Sequence, residues 1–276
     1  MAGADRRHPH PARRERGAAA PRVQALPVAR RGKRRPARPG ARRSGGRSHA
    51  RAATGLARPD PRIVVAERAV VYPGTVLGEG CVISDYAVVG KQPVLSARST
   101  AAREELPPLE LGDGTVVAAG AIVFAGTKIG ARVIVGDQAC VRERCEIGDD
   151  VVVGRGSLIE NDTTVGALTK IQANAYITAY STLEENVFIA PCVTTTNDNF
   201  MGRTDQRHEL RRGPTIRRGA RIGGAAVLCP GVEIGEEAYV GAGAVVVRDV
   251  PARAVVVGNP ARLIREVATE ELLDAS

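Results

Sequence analysis

Aliphatic residues recur every six positions through the middle of the chain. Fourteen consecutive repeats run without interruption from Leu111 to Ile189, and the fourth position after each aliphatic residue is small or β-branched. No helix repeats at six residues, and a single strand repeats at two. Six residues instead fit one short strand and one tight turn, with both marked positions pointing inward. The pattern therefore predicts an all-β fold, a parallel β-helix in which three repeats complete one triangular coil.

The same period extends the predicted β-helix in both directions. Five repeats precede the central run, from Val65 to Val89, and six follow it, from Ile216 to Val246. The twenty-five repeats correspond to about eight coils at three repeats each. Coils should stack at about 4.8 Å, the ordinary spacing of paired strands. Glycine often follows the aliphatic residue, and Gly, Asp and Asn near the corners tolerate positive φ.

Two insertions interrupt the period, and a different pattern ends it. The first insertion, residues 91–110, contains three prolines and mixed charge, and the second lies between Thr194 and Ile216. Insertions of this length are usually functional or disordered. After the last repeat, the apolar residues Leu263, Val267 and Leu272 predict a short C-terminal α-helix within residues 261–273, which would cap the open end of the prism.

Charge divides the chain near residue 62. Residues 1–62 carry a net charge of +15 and the remainder carries −6, which together give the +9 of the whole chain. The basic segment has few aliphatic residues and is predicted to be a disordered tail. It could be a nucleic-acid or anionic-surface arm, or an Arg-rich targeting peptide, but we prefer a spare tail from an over-long reading frame. The predicted domains are the tail at 1–62, the β-helix at 63–260, and a C-terminal helix and tail at 261–276.

Other features predict a cytoplasmic protein. No stretch is long and apolar enough to span a membrane, and no apolar run has the length of a signal peptide. The five cysteines form no CxxC pair, and Cys81 and Cys145 occupy small inward positions. They are therefore predicted to be free, buried thiols, which fits a reducing compartment.

The repeats, the second insertion and the closing sequence VVVGNPARLIR together resemble the left-handed β-helix acyltransferases, over about residues 63–267. Within that family, the segment from Lys170 to Asp198 (KIQANAYITAYSTLEENVFIAPCVTTTND) is similar to the nucleotide-amino-sugar N-acetyltransferases. This segment departs from the family pattern at Ala173, where the family has Asn, and at Ala179, where the family has an acidic residue. The Pro-Arg that follows the family's Asn-Asp is displaced here.

This resemblance implies a left-handed prism and a homotrimer. It also implies that acetyl-CoA binds in the groove between neighbouring prisms, with the long loop of one subunit reaching over that groove. The acceptor it implies is a nucleotide sugar. Membrane partners are not expected, nucleic acid is not favoured as a partner, and no metal is predicted.

Acyl transfer to an amine requires a group that takes the amine proton and a donor for the developing oxyanion. His208 is the sole histidine outside the tail and lies in the second insertion, so it is a candidate general base. It could equally be a solvated loop residue. Asn174 could hold the amine so that the substrate loses its proton without a protein base, or it could be an ordinary turn residue.

Further residues are candidates for binding. For the sugar nucleotide, the candidates are Gln172, Asn197, Asp198 and Arg203, although Asn197 and Asp198 could instead be turn formers. For acetyl-CoA, the candidates are small residues beside which the pantetheine arm can lie flat, and arginines that could meet phosphates. These are Arg217, Arg218, Gly223, Gly224, Gly241, Ala242 and Arg262.

Several alternatives share the prism. An O-acetyltransferase and an acyl-carrier-protein-dependent UDP-glucosamine N-acyltransferase remain open, as does a non-enzymatic assembly scaffold. A γ-class carbonic anhydrase needs three histidine ligands, and only His208 lies outside the tail. A sugar-nucleotide pyrophosphorylase would need an N-terminal nucleotidyltransferase domain, which residues 1–62 cannot form.

Overall fold

The computed structural model describes residues 62–97, 99 and 103–275. The predicted disordered tail, apart from Arg62, lies outside the described residues. The described chain winds into a triangular prism, whose three faces are sheets of short strands. Each coil contributes one strand to each face in turn, and strands eighteen residues apart pair in parallel, as Cys140 does with Leu158, except across the insertions and at the last coil, where Tyr239 pairs with Val255. The predicted parallel β-helix is therefore confirmed.

Face 1 contains ten parallel strands and a final antiparallel one, while face 2 has nine strands and face 3 has eight. The strands of face 1 are β1 Val64–Val65, β4 Val82–Ile83, β7 Val116–Val117, β10 Ile134–Val135, β13 Val152–Val153, β16 Lys170–Ile171, β19 Phe188–Ile189, β22 Arg221–Ile222, β25 Tyr239–Val240, β27 Ala254–Val257 and β28 Arg262–Glu266. Those of face 2 are β2 Val70–Val71, β5 Val88–Lys91, β8 Ile122–Phe124, β11 Cys140–Val141, β14 Leu158–Ile159, β17 Tyr176–Ile177, β20 Thr194–Thr195, β23 Val227–Leu228 and β26 Val245–Val246. Those of face 3 are β3 Val76–Leu77, β6 Glu110–Leu111, β9 Lys128–Ile129, β12 Glu146–Ile147, β15 Thr164–Val165, β18 Thr182–Leu183, β21 Thr215–Ile216 and β24 Glu233–Ile234.

The aliphatic residue of each repeat fills the core, and the prism is longer than predicted. Ile159 and Ile189 are fully buried, as are most of their counterparts. The aliphatic pattern missed two inward positions, Thr195 in β20 and Val256 in β27. Thr195 is buried because its hydroxyl oxygen accepts a hydrogen bond from the backbone N–H of Thr178 at 2.7 Å. β27 extends face 1 to ten parallel strands and β20 is the additional strand of face 2, where about eight coils were predicted.

The corners depend on two different positions of the repeat. The third residue after the aliphatic one adopts the left-handed conformation, as at Asn174 (φ 58°), Tyr180 (φ 63°) and Cys192 (φ 61°). The glycine directly after the aliphatic residue has another purpose, which is close stacking. A Cβ added to Gly223 would lie 2.5 Å from the backbone nitrogen of Ala242 on the next coil. The positive φ that we expected near the corners is thus mostly carried by residues other than glycine.

The C-terminal helix prediction is wrong. Residues 262–266 form β28, which pairs antiparallel with β27, and two 3-10 turns follow at Thr269–Glu271 and Leu273–Ala275. The hairpin still covers this end of the prism, because Val256 and Val267 are buried. Leu263, which was predicted to lie on the apolar side of a helix, is instead 61% exposed. The open backbone edge of β27 provided pairing partners that outweighed the helical spacing of the apolar residues. None of the helices in the described ranges has the length and apolar character needed to cross a membrane.

Both insertions leave the prism at the same edge. We name the edges by the faces they join, so that edge 2–3 lies between faces 2 and 3. The first insertion follows β5 and the second follows β20, and both chains rejoin on face 3. The second insertion carries the one α-helix of the described residues, α1, at Arg207–Leu210. Edges 1–2 and 3–1 carry only tight turns up to β27.

Candidate active site

The two insertions enclose a cleft of about 600 Å³ on edge 2–3. Turns of successive coils form its floor, including Arg142, Asn161 and Tyr180, while Leu106 and Arg211 come from the first and second insertions. Small-molecule sites in proteins commonly have about 300–1,000 Å³. The cleft is therefore large enough for a ligand of nucleotide-sugar class.

Arginines on the floor of the cleft are already paired. Arg142 contacts Glu143 through Nε and Oε2 at 2.8 Å, and Glu143 is only 3% exposed. Arg144 contacts Asp162 through Nε and Oδ1 at 2.7 Å. The hydrogen bond to Glu143 raises the pKa of Arg142 above its ordinary value. These pairs fix the shape of the floor, because each holds a guanidinium against a carboxylate through charge-assisted hydrogen bonds.

His208 lies in α1, half-buried, and is connected to the floor of the cleft. Its Nδ1 lies 3.4 Å from Nη2 of Arg211. The guanidinium carbon of Arg211 in turn lies 5.7 Å from the centre of the Tyr180 ring, a cation–π contact. The structure thus joins the predicted catalytic imidazole to the prism through Arg211 and Tyr180. Neither Arg211 nor Tyr180 was predicted from the sequence as a site residue, although Tyr180 stands at the same turn position as Asn174, one repeat later.

The predicted sugar contacts in the second insertion shape the loop itself. Asn197 donates from Nδ2 to the carbonyl oxygen of Ala179 at 3.2 Å. The Asp198 carboxylate accepts backbone N–H groups from Gly202 at 2.9 Å and Phe200 at 2.8 Å. These two bonds lower the pKa of Asp198. Asn197 and Asp198 therefore act as turn formers in the loop. Arg203 is exposed, and its side chain is open to a ligand.

A strip of small residues runs along edge 1–2, on the other side of face 2. Asn174 is exposed on this edge, with Gln172 half-buried beside it. Backbone hydrogen bonds stack the next coils above them, from Cys192 to Ala173, Ala225 to Pro191 and Gly243 to Gly224. The predicted cofactor residues Gly223, Gly224, Gly241 and Ala242 lie on these coils. A Cβ added to Gly224 would meet only the carbonyl oxygen of Pro191, at 3.5 Å, so the strip is open to a ligand.

The predicted phosphate contacts separate into two groups. Arg262 is the first residue of β28 and follows Ala261. The backbone N–H of Ala261 donates to the carbonyl oxygen of Val245 on face 2, so Arg262 lies on the side of the prism that carries the strip. Arg217 and Arg218 instead lie on edge 3–1. Arg217 Nη1 is 2.8 Å from Glu184 Oε1, and Arg218 Nη2 is 3.1 Å from Asp274 Oδ1. Phosphate binding by this second pair would require exchange of these carboxylates.

One chain does not bring Asn174 and His208 together. Asn174 is on edge 1–2, and His208 reaches the prism at Tyr180 on edge 2–3, six residues further along the chain. At about 3.3 Å per strand residue, roughly 15 Å of face 2 separates the two edges. A site that uses both residues therefore needs two copies of the chain.

The outward side chains of face 2 are largely apolar. Each is the residue just before the inward aliphatic one, and most are half-buried. They include Ile122, Cys140, Leu158, Tyr176, Val227 and Val245. The equivalent positions on face 3 are mainly charged or hydroxylated, including Glu110, Lys128, Glu146, Thr164 and Glu233. Among the described residues, no three His, Cys, Asp or Glu side chains are grouped to hold a metal.

The repeats match two known families. Residues 126–161 and 213–248 match the family described as bacterial transferase hexapeptide (six repeats). Residues 144–179 match the hexapeptide repeat of succinyl-transferase. Among solved structures, the UDP-N-acetylglucosamine acyltransferase LpxA from Bacteroides fragilis superposes with a TM-score of 0.60 over 74% of each chain, at 13% identity.

Two curated relatives are similar over shorter segments. A serine acetyltransferase from Buchnera aphidicola is 36% identical over 79 residues, 29% of this chain and 29% of the relative. The dTDP-3-amino-3,6-dideoxy-alpha-D-galactopyranose 3-N-acetyltransferase of Aneurinibacillus thermoaerophilus is 52% identical over 48 residues, 17% of this chain and 25% of the relative. The chain thus spans less than a third of the length of these two relatives.

Fold and repeat together define a left-handed β-helix protein. The repeats of this chain are similar to those of the bacterial transferase hexapeptide family, whose model matches about a quarter of the chain. The predicted resemblance to the left-handed β-helix acyltransferases is therefore confirmed.

Proposed function

We propose that this protein is an acetyl-CoA-dependent acetyltransferase whose acceptor is the amino group of a nucleotide-linked amino sugar. The observation that carries the proposal is the open strip of small residues on edge 1–2, which runs upward from Asn174. The pantetheine arm of acetyl-CoA is thin and flat, and it needs a surface without projecting side chains. Gly224 and Ala242 provide this surface on consecutive coils, Gly241 is buried against Val257, and exposed Arg262 is available for a phosphate.

The acceptor is proposed to occupy the cleft between the insertions. Its volume of about 600 Å³ suits a sugar nucleotide, and Tyr180 and Arg211 offer an aromatic and a cationic surface. The 48-residue match to a dTDP-amino-sugar N-acetyltransferase supports an amine as the acceptor group. The departures at Ala173 and Ala179 change the surroundings of the sugar, so its identity is to be determined by an acceptor screen.

The complete site is proposed to form between copies of the chain in a homotrimer. Face 2 lies between the strip and the cleft, and its outward side chains are apolar. An apolar face of this length is costly in water and is covered when copies associate. A cyclic arrangement would place the strip of one copy opposite the cleft of the next. It would thereby bring Asn174 of one copy close to His208 of its neighbour.

The proposed reaction is direct transfer. The neutral amine attacks the thioester carbonyl carbon, the C–S bond breaks, and the amine proton passes to the departing CoA thiolate, directly or through an intermediate acceptor. Asn174 is proposed to orient the amine. This orientation should increase the rate of transfer by a large factor, because the reacting groups must be close and aligned. Either His208 or the substrate itself handles the proton. A cytoplasmic location, where acetyl-CoA is available, stays a prediction.

An acceptor hydroxyl is the second candidate. It is supported by the serine acetyltransferase relative and by a galactoside O-acetyltransferase from Escherichia coli, which is 40% identical over 67 residues, 22% of this chain and 33% of the relative. Both chemistries would use the same donor strip. They differ in the acceptor alone, so an acceptor panel separates them.

Thiol release tests the proposed function. Purified protein is incubated with acetyl-CoA and a panel of dTDP- and UDP-linked 3-amino and 4-amino sugars, the matching hydroxyl sugars, serine and galactosides. Free CoA is measured with a thiol reagent, and products are weighed by mass spectrometry. We expect release with an amino sugar nucleotide, with a product heavier by one acetyl group. Release with the hydroxyl compounds alone would favour the second candidate, and no release with any acceptor would contradict both.

A further inference from the structure

The hydrogen bond between Arg211 and His208 determines which ring nitrogen carries the proton. The Nη2 of Arg211 lies 3.4 Å from Nδ1 of His208. A guanidinium has five donors and no acceptor, and it stays protonated in proteins. In this contact Nδ1 must therefore accept the hydrogen bond. A neutral imidazole has one N–H, so the proton of His208 lies on Nε2.

This tautomer is unsuited to general base catalysis. A base must offer a free lone pair to the proton that it removes, and the lone pair of Nδ1 points to Arg211. Nε2 already carries hydrogen in the neutral ring. Protonation of the ring would put an N–H of Nδ1 against the N–H of Arg211, which replaces an attraction by a clash of donors. Both nitrogens of His208 are thereby withheld from the amine proton.

The same tautomer is suited to donating a hydrogen bond. The Nε2–H can point to the carbonyl oxygen of the thioester, where negative charge develops during attack. A donor fixed in advance at that oxygen is one of the largest contributions to acyl transfer. We infer that His208 stabilises this oxyanion through Nε2–H, and that Arg211 is the positioning residue that holds the tautomer. The inference rests on the proposed acetyl transfer.

Arg211 is itself fixed in place. Its guanidinium stacks on Tyr180, 5.7 Å from the ring centre, and its backbone N–H bonds to the carbonyl oxygen of Arg207 at 3.0 Å. Among the described residues, Arg211 is the one side chain with a hydrogen bond to the His208 ring. The neighbouring charges in α1 are Arg207 and Glu209, and Arg207 faces Asp198 across 3.8 Å. Tyr180 thus connects the orientation of the imidazole to the rigid prism.

A consequence is that the amine proton has no protein base at His208. The substrate amine attacks in its neutral form, and its proton leaves for the CoA thiolate after the C–N bond has formed. The bonds broken are C–S and one N–H, and those formed are C–N and S–H. No other reactant is needed. This assigns the orientation of the amine to Asn174 and the polarisation of the carbonyl to His208.

The tautomer can be measured without turnover. Histidine labelled with ¹⁵N is incorporated into the full chain, and the ¹⁵N spectrum at pH 7.5 distinguishes protonated from unprotonated ring nitrogens. Subtraction of the His208→Gln spectrum isolates this residue from the three tail histidines. We expect Nε2–H in the wild type, loss of that preference in Arg211→Gln, and its recovery in Arg211→Lys. Arg212→Gln removes the same charge one residue away and should leave the spectrum unchanged. A wild-type ring protonated on Nδ1 overturns the inference.

Two substitutions then separate the donor from the base in turnover. The side-chain amide of Gln can place an N–H near the position of Nε2, whereas that of Asn reaches only to about Nδ1. The donor role predicts that His208→Gln keeps kcat within about tenfold, while His208→Asn and His208→Ala lose about 100- to 1,000-fold, the effect of removing one oxyanion donor. A base role predicts equal losses for all three, because an amide cannot take up the proton. If the wild type turns over no acceptor, the proposed function fails while the ¹⁵N result still decides the tautomer.

Discussion

Faces 2 and 3 of the prism share one interior pattern and differ on the outside. Along both faces, the inward positions hold residues that pack in the core, except at the N-terminal end, where Val71 is 37% exposed. Outward positions on face 2 hold Ile122, Leu158 and Val227, whereas those on face 3 hold Lys128, Glu146 and Glu233. The backbone does not distinguish the two faces, because both are made of the same short parallel strands. The inward residues therefore determine the fold, and the apolar outward residues of face 2 support the proposed assembly.

The edges next to face 2 differ in a related way. Edge 1–2 is built from tight turns with small residues and presents the strip beside Asn174. Edge 2–3 carries both insertions and presents the cleft with Tyr180 and Arg211. Neither edge has all the groups that acetyl transfer needs. In the proposed homotrimer, association through face 2 would bring the two edges together.

The largest effect is expected from a charge on face 2. Leu158→Glu puts a carboxylate in the apolar surface, and we expect the assembly to dissociate with a loss of kcat of at least about a hundredfold, because the reacting groups are no longer held together. Light scattering and thiol release measure the two effects. Thr164→Glu is the matched control, since Thr164 has the equivalent outward position on face 3 of the same coil. Equal dissociation by both variants would contradict the role given to face 2.

The glycines of the strip should divide into stacking and ligand-facing residues. A side chain at Gly224 has open space, so Gly224→Leu should raise the KM for acetyl-CoA by about tenfold or more and leave the Tm near that of the wild type. Gly223→Ala should lower the Tm and leave the KM for acetyl-CoA near that of the wild type, because its Cβ would lie 2.5 Å from the backbone nitrogen of Ala242. Thermal melts and KM measurements on both variants check this. A normal KM in Gly224→Leu would remove the strip from the donor site.

Cys192 offers a chemical probe of the same edge. It is exposed between Asn174 and Ala225, whereas Cys145 is buried, and burial raises the pKa of the Cys145 thiol to about 12. Iodoacetamide at neutral pH should therefore modify Cys192 and spare Cys145. We expect partial loss of activity that CoA prevents and that Cys192→Ala does not show. Mass spectrometry of the labelled peptides is the readout, and labelling at an unchanged rate in excess CoA would count against the strip.

The smallest effect concerns acid. Backbone N–H groups of Gly202 and Phe200 hold the pKa of Asp198 below its ordinary value. Their stabilisation of the loop is complete above the unfolded pKa of about 3.9 and is lost as pH falls through the lower folded value. Protection of the backbone amides in residues 198–204, measured against the intrinsic exchange rate at each pH, should therefore fall below about pH 4 in the wild type. Asp198→Asn should show the faster exchange already at neutral pH; an unchanged rate there would mean that these bonds do not order the loop.

The sequence predicts the fold well because the period is repeated many times. One hexad is ambiguous, but fourteen in succession exclude helices and plain strands. The C-terminal prediction failed at a place with no repeat, where three apolar residues at helical spacing were outweighed by the open edge of β27. Thr195 was missed because a polar residue can occupy an inward position when its hydroxyl is bonded within the core.

The candidate site was only partly predictable. Asn174 and the glycines of the strip fall on one edge because the period alone fixes their register. Glu184 and Arg217 occupy the same repeat position on neighbouring coils, so the period could have paired them, whereas Asp274, the partner of Arg218, lies in the C-terminal segment beyond the repeats. The Arg211–His208 contact likewise depends on how the second insertion folds back onto Tyr180, which no repeat determines.

The central claim is that Asn174 of one copy and His208 of another form each site. Mixed assemblies of Asn174→Ala and His208→Ala chains, formed by co-expression and purified through two different tags, test it directly in the thiol-release assay. Each variant alone should be nearly inactive. Each mixed cyclic trimer has one interface of three with both native residues, so activity should recover to about a third of the wild-type value. Mixed assemblies no more active than the two parent variants would contradict a site shared between copies.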